Sequence, residues 1–192
     1  VTEKTAHLPS GLATGAPTTQ RSVLEQMEAA RFCVADTMDL WSEHQRARLL
    51  DLLRRIDGLI VNDDEVKQLT GKTNLIQAGR KALELGPKFV IVKKGEHGCF
   101  LFSNFFHCAL PAYPTESVVD PTGAGDSFAG GFMGHLANCD SVSVWNMKRA
   151  LAYGTVTASL TVEGFGVDRI ASADRETVER RYQELQSFIA SV

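Results

Sequence analysis

No apolar run in this chain approaches the roughly 20 residues that a helix needs to cross a bilayer, which excludes a membrane span of that kind. Cysteine is scarce: Cys33, Cys99, Cys108 and Cys139 are the only four in 192 residues, they are widely spaced, and no two form a C-x-x-C pair, so they read as reduced core thiols. No charged and apolar leader with a cleavage site opens the chain, and together with the cysteines this predicts the cytoplasm. Excess charge of one sign is also missing. A net charge of −3 gives no general field for nucleic acid, and Arg46, Arg48, Arg54 and Arg55 read as the wet face of one helix. Neither nucleic acid nor membrane is expected as a partner. The last histidine is His135 and no Asp-x-x-His occurs, so Ser127 in Gly125-Asp126-Ser127 lacks the base of a GDS-type serine hydrolase, which leaves that reading remote. There is no internal repeat.

What is present is a globular composition, 44% hydrophobic and 22% charged, in a chain long enough to bury about 70% of the surface its unfolded form exposes. One domain is the default. Val1 to Gln20 is rich in Thr, Ala, Gly and Pro without hydrophobic periodicity and reads as a disordered or junction segment. A short helix is expected over Arg21–Ala30, a buried strand over Arg31–Asp36 ending in an acid, and a helix capped by Ser42 and Gln45 with Leu49, Leu50, Leu53 and Ile56 on its apolar stripe. Strand Gly58–Val61, helices from Asn62 to Gly71 and from Asn74 to Leu85, and strand Phe89–Lys93 continue the alternation. Gly95 and Gly98 then turn the chain into Cys99–Phe102 and Phe105–Leu110, an antiparallel excursion on the sheet edge. Ser143 caps a long helix with Val144, Met147, Leu151, Val156 and Leu160 inward; Gly164 and Gly166 break it, and Glu176–Ile189 is a charged terminal helix. Strand and helix in series imply an α/β fold whose mainly parallel sheet carries the working site at the carboxyl ends of its strands.

The stretch Val118–Leu136, VVDPTGAGDSFAGGFMGHL, carries the chemistry. Val118 and Val119 predict a strand ending at Asp120-Pro121, and Gly123 and Gly125 allow a turn whose N–H groups converge on an anion. A helix is expected from Ala124 or Gly125, with Phe128, Phe132, Met133 and Leu136 on one side and Gly130, Gly131 and Gly134 keeping the other side thin. Asp126 then lies in a first turn whose orphan N–H groups and dipole favour a phosphate. Two other motifs fail here: a dinucleotide fingerprint meets Phe128 where its third glycine belongs, and a P-loop ending at Gly71-Lys72-Thr73 meets Val66 where its first glycine belongs.

DPTGAGDSFAGGF resembles the signature of the ribokinase, or PfkB, family of carbohydrate and nucleoside kinases, and the likeness extends over roughly Arg31–Gly166. The resemblance implies a ribokinase-like three-layer α/β/α fold over residues 21–192 and phosphoryl transfer from MgATP to a hydroxymethyl group of a sugar or nucleoside. It implies Asp126 as the base, Gly123, Ala124 and Gly125 as the anion hole, and Asn62 with Glu65 as an Asn-x-x-Glu motif, Glu65 acting on the Mg²⁺ and water network. Lys93, Gly95 and Gly98 match a Thr-x-Gly-x-x-Gly segment near the nucleotide, with Lys93 in place of the threonine. Asp120 and Thr122 match a monovalent-cation site for K⁺, and Ala152, Thr155 and Val156 an adenine-pocket wall. Nothing before Arg21 resembles the acceptor-binding Gly-Gly motif or the lid segment through which such kinases pair as homodimers. The chain is therefore expected to be the nucleotide-binding and catalytic part, incomplete for turnover, and the alternative is a nucleotide-binding remnant without turnover. After Asp36 it departs from the D-x-N-x-R pattern, so the acceptor is not carried over.

Overall fold

The computed structural model describes residues 9–12, 17–26, 32–36 and 43–189. Strands β1 (Pro9–Leu12), β2 (Phe32–Asp36), β3 (Gly58–Asn62), β4 (Phe89–Lys93), β5 (Cys99–Ser103) and β6 (His107–Leu110) form one sheet in that order. The first four are parallel, and β5 turns back antiparallel on β4. Helices α1 (Pro17–Gln26), α2 (Glu43–Leu53), α3 (Asp63–Thr70) and α4 (Leu75–Leu83) connect the parallel strands. Four of the five residues in each of β3 and β4 are buried, which is the continuous apolar run of a parallel strand covered on both faces. Leu59 and Val61 of β3, Val90 and Val92 of β4, and Leu49 and Leu53 of α2 belong to one core.

The contacts divide the chain into two compact units. One runs through Lys94 and resumes over Cys99–Ala109; the other comprises Gly95–Gly98 and everything from Leu110 onward. The second is built on α5 (Ala124–Ala137), α6 (Val144–Thr161), α7 (Asp168–Ala171) and α8 (Arg175–Ile189). Helix α5 lies close against α6, because a side chain starting at Gly131 would put its Cβ 2.2 Å from Thr157 Oγ1 and 2.8 Å from the Tyr153 carbonyl oxygen. Phe132, Leu151 and Leu160 are fully buried in this unit, and Tyr153 stacks on Tyr182 of α8 with ring centroids 4.6 Å apart.

Several expectations change. Val1–Gln20, expected as a disordered or junction segment, contains β1, whose Pro9–Leu12 pair in register with Phe32–Ala35, and the first residues of α1. Residues 1–8 and 13–16 of that stretch lie outside the described residues, as do the Ser42 cap, the side chain of Gln45 and the end of the helix expected to reach Ala30. No strand forms at Val118 and Val119: both are exposed, and the N–H groups of Val119 and Asp120 donate instead to the Val162 carbonyl at 2.7 and 3.2 Å. Their β-branched side chains favour extension but have no strand to pair with among the described residues. Val144 begins α6 half out of the core at 43% exposure, while Met147, Leu151, Val156 and Leu160 point inward as expected. No disulfide joins the four cysteines; Cys33 and Cys99 are buried as core thiols, Cys108 and Cys139 are only half-buried, and burial with the Asp57 charge pushes the Cys33 thiol up to about 11, which keeps it protonated and inert. Among the described residues no helix is long and apolar enough to cross a membrane.

Candidate active site

In the sheet-bearing unit the candidates gather at the carboxyl ends of adjacent strands. Asn62 ends β3 and caps α3: its Oδ1 accepts from the Glu65 N–H at 2.8 Å, and Glu65 Oε2 accepts from the Asn62 N–H at 2.8 Å. Two orphan donors are thus satisfied reciprocally, and Glu65 is buried at 3% exposure with its carboxylate fixed. Lys93 ends β4 in register with Asn62. Its ammonium reaches across β3 to the end of β2, where Nζ lies 3.1 and 3.0 Å from Oδ1 and Oδ2 of Asp36. Asp36 is buried and Lys93 keeps about a fifth of its side chain exposed, so this is a largely desolvated ion pair. Sequence reading placed Lys93 at the site but not its bond to Asp36, since 57 residues separate them.

In the other unit, Gly95 opens a 3₁₀ turn to His97, and Gly98 closes it at φ 83° with a Leu110 carbonyl oxygen only 2.0 Å from where a Cβ would sit. A side chain there is excluded twice, by conformation and by space. Gly123 stands immediately before α5 at φ 81°, the left-handed region, and offers no side-chain cap to the helix. The Ala124 N–H is taken by the Pro121 carbonyl at 3.1 Å; the first N–H groups of an α-helix have no acceptor within it, and no Gly123 side chain caps them here, as an anion site requires. Ala124 and Gly125 are partly exposed, and Asp126, the third helical residue, is exposed. Asp120 Oδ1 accepts from the Thr122 N–H at 2.9 Å. This hydrogen bond, the first cause, and one to the Thr122 side chain hold the Asp120 carboxyl below its ordinary range. Ala152, Thr155 and Val156 on α6 are all buried, Val156 fully so.

Sequence reading weighed Ser127 only as a remote hydrolase nucleophile and gave Thr157 and Thr161 no part, yet the three bring hydroxyls together behind the turn. Thr161 Oγ1 donates to Ser127 Oγ at 2.7 Å, and Thr157 Oγ1 lies 2.8 Å from the Ser127 carbonyl oxygen. Just past α6, Glu163 accepts from Thr115 Oγ1 and from Arg181 Nη2, each at 2.6 Å, and pairs with Arg169 Nε at 3.6 Å. Burial pulls the Glu163 carboxyl upward, but the bonds from Arg181 and Thr115 and the two arginine charges outweigh it, so its pKa is lowered on balance. A carboxyl depressed in the folded state stabilises above its unfolded pKa and loses that contribution as pH falls through the folded value. The stability gap between the chain and its Glu163→Gln variant is therefore expected to be full at neutral pH and to close in acid below the ordinary carboxylate range, as read by urea unfolding across pH. A gap that stays constant from neutral pH into strong acid contradicts the ion pair.

Residues 13–173 match the model of the pfkB family carbohydrate kinases. The chain belongs to the pfkB family. Among curated pfkB relatives it is 32% identical over 121 residues to the cytidine kinase of Thermococcus kodakarensis, covering 61% of this chain and 43% of that enzyme. It is 36% identical over 111 residues to fructokinase-2 of Oryza sativa subsp. japonica, covering 55% of this chain and 32% of the fructokinase. The chain thus spans less than half the length of either relative. The ribokinase-like α/β fold is shared with solved pfkB-type structures. A double-mutant fructokinase from Vibrio cholerae with fructose, ADP and potassium bound superposes with a TM-score of 0.79 at 16% identity, over 92% of this chain and 61% of that one. An aminoimidazole riboside kinase from Salmonella enterica, complexed with its riboside and an ATP analogue, gives a TM-score of 0.75 at 22% identity, over 96% of this chain and 64% of that one.

Proposed function

We propose that this chain binds MgATP and forms the phosphoryl-transfer part of a kinase acting on a hydroxymethyl group of a sugar or nucleoside. The observation that carries the reading is the uncapped turn at Gly123, left-handed and opening directly into a helix whose third residue is Asp126. In phosphoryl transfer the protein positions the groups and stabilises negative charge spread over the transferred phosphoryl, with little covalent chemistry of its own. The N–H groups of Gly123 and Gly125 meet that charge while the Ala124 N–H, bonded to the Pro121 carbonyl, holds the turn, and Asp126 takes the proton of the acceptor hydroxyl as its oxygen attacks. ATP supplies the phosphoryl when bound. Glu65, fixed by Asn62, would act on the water shell of a magnesium ion, and Asn62, Lys93, the glycine turn ending at Gly98 and the α6 residues Ala152, Thr155 and Val156 are assigned to the nucleotide.

The donor sets fit these ligands. Among the described residues no three His, Cys, Asp or Glu side chains gather as a metal cage, so Mg²⁺ would be carried chiefly by phosphate and water oxygens. Asp120, kept ionised below its ordinary range, suits K⁺ together with Thr122. The potassium and ADP in the fructokinase of the same fold support both assignments.

MgATP at a hundred times its Kd is expected to stabilise the chain by about 2.7 kcal/mol, measured as a thermal shift. Glu65→Gln keeps an acceptor for the capping box but removes the charge, so it should reduce the Mg²⁺ dependence of the shift more than the fold's own stability. K⁺ should enlarge the shift relative to a bulky organic cation. A folded chain that shows no shift in millimolar MgATP contradicts the nucleotide assignment, and equal shifts in all monovalent cations contradict the Asp120 site alone.

A further inference from the structure

The last turn of α6 is the seat on which the anion-binding turn rests. It touches the segment 119–127 through four separate contacts. The Val162 carbonyl takes the N–H groups of Val119 and Asp120 in two of them, Thr161 Oγ1 donates to Ser127 Oγ, and Thr157 Oγ1 meets the Ser127 carbonyl. A shift of this turn of α6 therefore moves both ends of the stretch that carries the N–H donors. The next residue after Val162 is Glu163, which is clamped by Thr115 from the incoming loop and by Arg181 from α8. Arg181 is itself fixed on three sides: Nη1 donates to Ser159 Oγ at 2.9 Å, Nη2 binds Glu163, and the guanidinium lies over the Tyr113 ring at 4.9 Å. The Tyr113 hydroxyl in turn donates to Glu184, one turn further along α8.

We infer that Glu163 and Arg181 are positioning residues for the anion-binding turn, with Thr161 passing their constraint to Ser127. The inference rests on the reading of Gly123–Gly125 as that turn. An anion hole works through donors held in place before the charge arrives, and displacements well under an ångström lose much of its effect. A partly buried carboxylate–guanidinium bond with a second hydroxyl donor gives the end of α6 one position where a frayed helix terminus would have many. Glu163 and Arg181 touch neither nucleotide nor acceptor in this scheme; they act through Val162 and Thr161.

Isothermal titration of MgATP into the chain tests this. Glu163→Gln and Thr161→Val are expected to weaken binding by roughly three- to thirty-fold, the range for residues that modulate a site without touching its ligand. Thr161→Ser keeps the hydroxyl and should restore affinity. Glu179→Gln removes the carboxylate that accepts from the Tyr153 hydroxyl at 2.8 Å, elsewhere on α8, and should lower the melting temperature without changing affinity. If Glu163→Gln does not fold, Thr161→Val against Thr161→Ser reads the same constraint through a single hydroxyl. Unchanged affinity in the folded Thr161→Val and Glu163→Gln variants overturns the inference, and so does an equal loss in Glu179→Gln, which would mark general loosening. A folded wild-type chain that binds no MgATP overturns the nucleotide reading and this inference with it.

Discussion

Asp126→Asn is expected to lower kcat by about a hundredfold to ten-thousandfold, with MgATP affinity little changed, in a protein that carries this chain and turns over a sugar or nucleoside. The substitution keeps the size and shape of the side chain and its ability to accept a hydrogen bond, but it removes the basic site that receives the acceptor's proton. Asp126 is exposed in the first turn of α5, where two kinds of work are open to a carboxylate: stabilising the helix start, or serving as a base toward a ligand at the same place. As a helix-start residue its replacement by Asn costs well under about 1 kcal/mol and leaves the rate alone. As a base its loss appears in kcat, because the proton transfer belongs to the transition state and not to nucleotide binding. An unchanged kcat in a folded Asp126→Asn variant assigns the carboxylate to the helix alone.

Lys93→Met is expected to destabilise the sheet-bearing unit by about 3–5 kcal/mol, the cost of removing the ammonium from a largely buried pair. The reverse deletion should be milder. Asp36 is 5% exposed at its side chain and cannot reach water when the ammonium is gone, whereas Lys93, at 20%, can turn its head outward on a flexible stem. Asp36→Asn should therefore cost less than Lys93→Met, and the double variant Asp36→Leu/Lys93→Met should recover part of the loss, since two apolar groups leave no orphaned charge. Urea unfolding with a constant m-value measures all three. Equal costs for the two single variants, or a double variant as unstable as their sum, contradict a coupled buried pair.

The elements legible in the sequence are those specified locally. Strand β4 appears over Phe89–Lys93 as expected, because Pro87 and Gly95 bound an unbroken apolar run that suits only a strand covered on both faces. Ser143 caps α6 through its own side chain to the Asn146 N–H, and Gly71 closes α3 in the left-handed conformation, both read from residue type and place. The reciprocal cap of Asn62 and Glu65 was also written in the letters, since an N-cap followed three residues later by Glu is a capping-box signature.

What the sequence did not disclose depends on partners far along the chain. Val118 and Val119 have strand-forming side chains, yet their fate turned on whether another strand lay beside them, and Val162 took the N–H groups instead. Strand β1 is short and carries Pro9 and Gly11, so no periodicity announces it; its pairing with β2 makes it a strand. The Asp36–Lys93 pair and the Glu163–Arg181 clamp join residues 57 and 18 positions apart, and neither spacing is a pattern that residue types alone can signal. The site motif was legible and its support was not, because the motif is contiguous and the support is tertiary.

The most direct test of the central claim is phosphorus NMR of a protein that carries this chain, incubated with MgATP, K⁺ and a panel of sugars and nucleosides. The account predicts a phosphomonoester on a hydroxymethyl group of one acceptor class, formed one for one with ADP. Tight MgATP binding with no phosphorylated acceptor across the panel would contradict it and leave the chain a nucleotide-binding remnant.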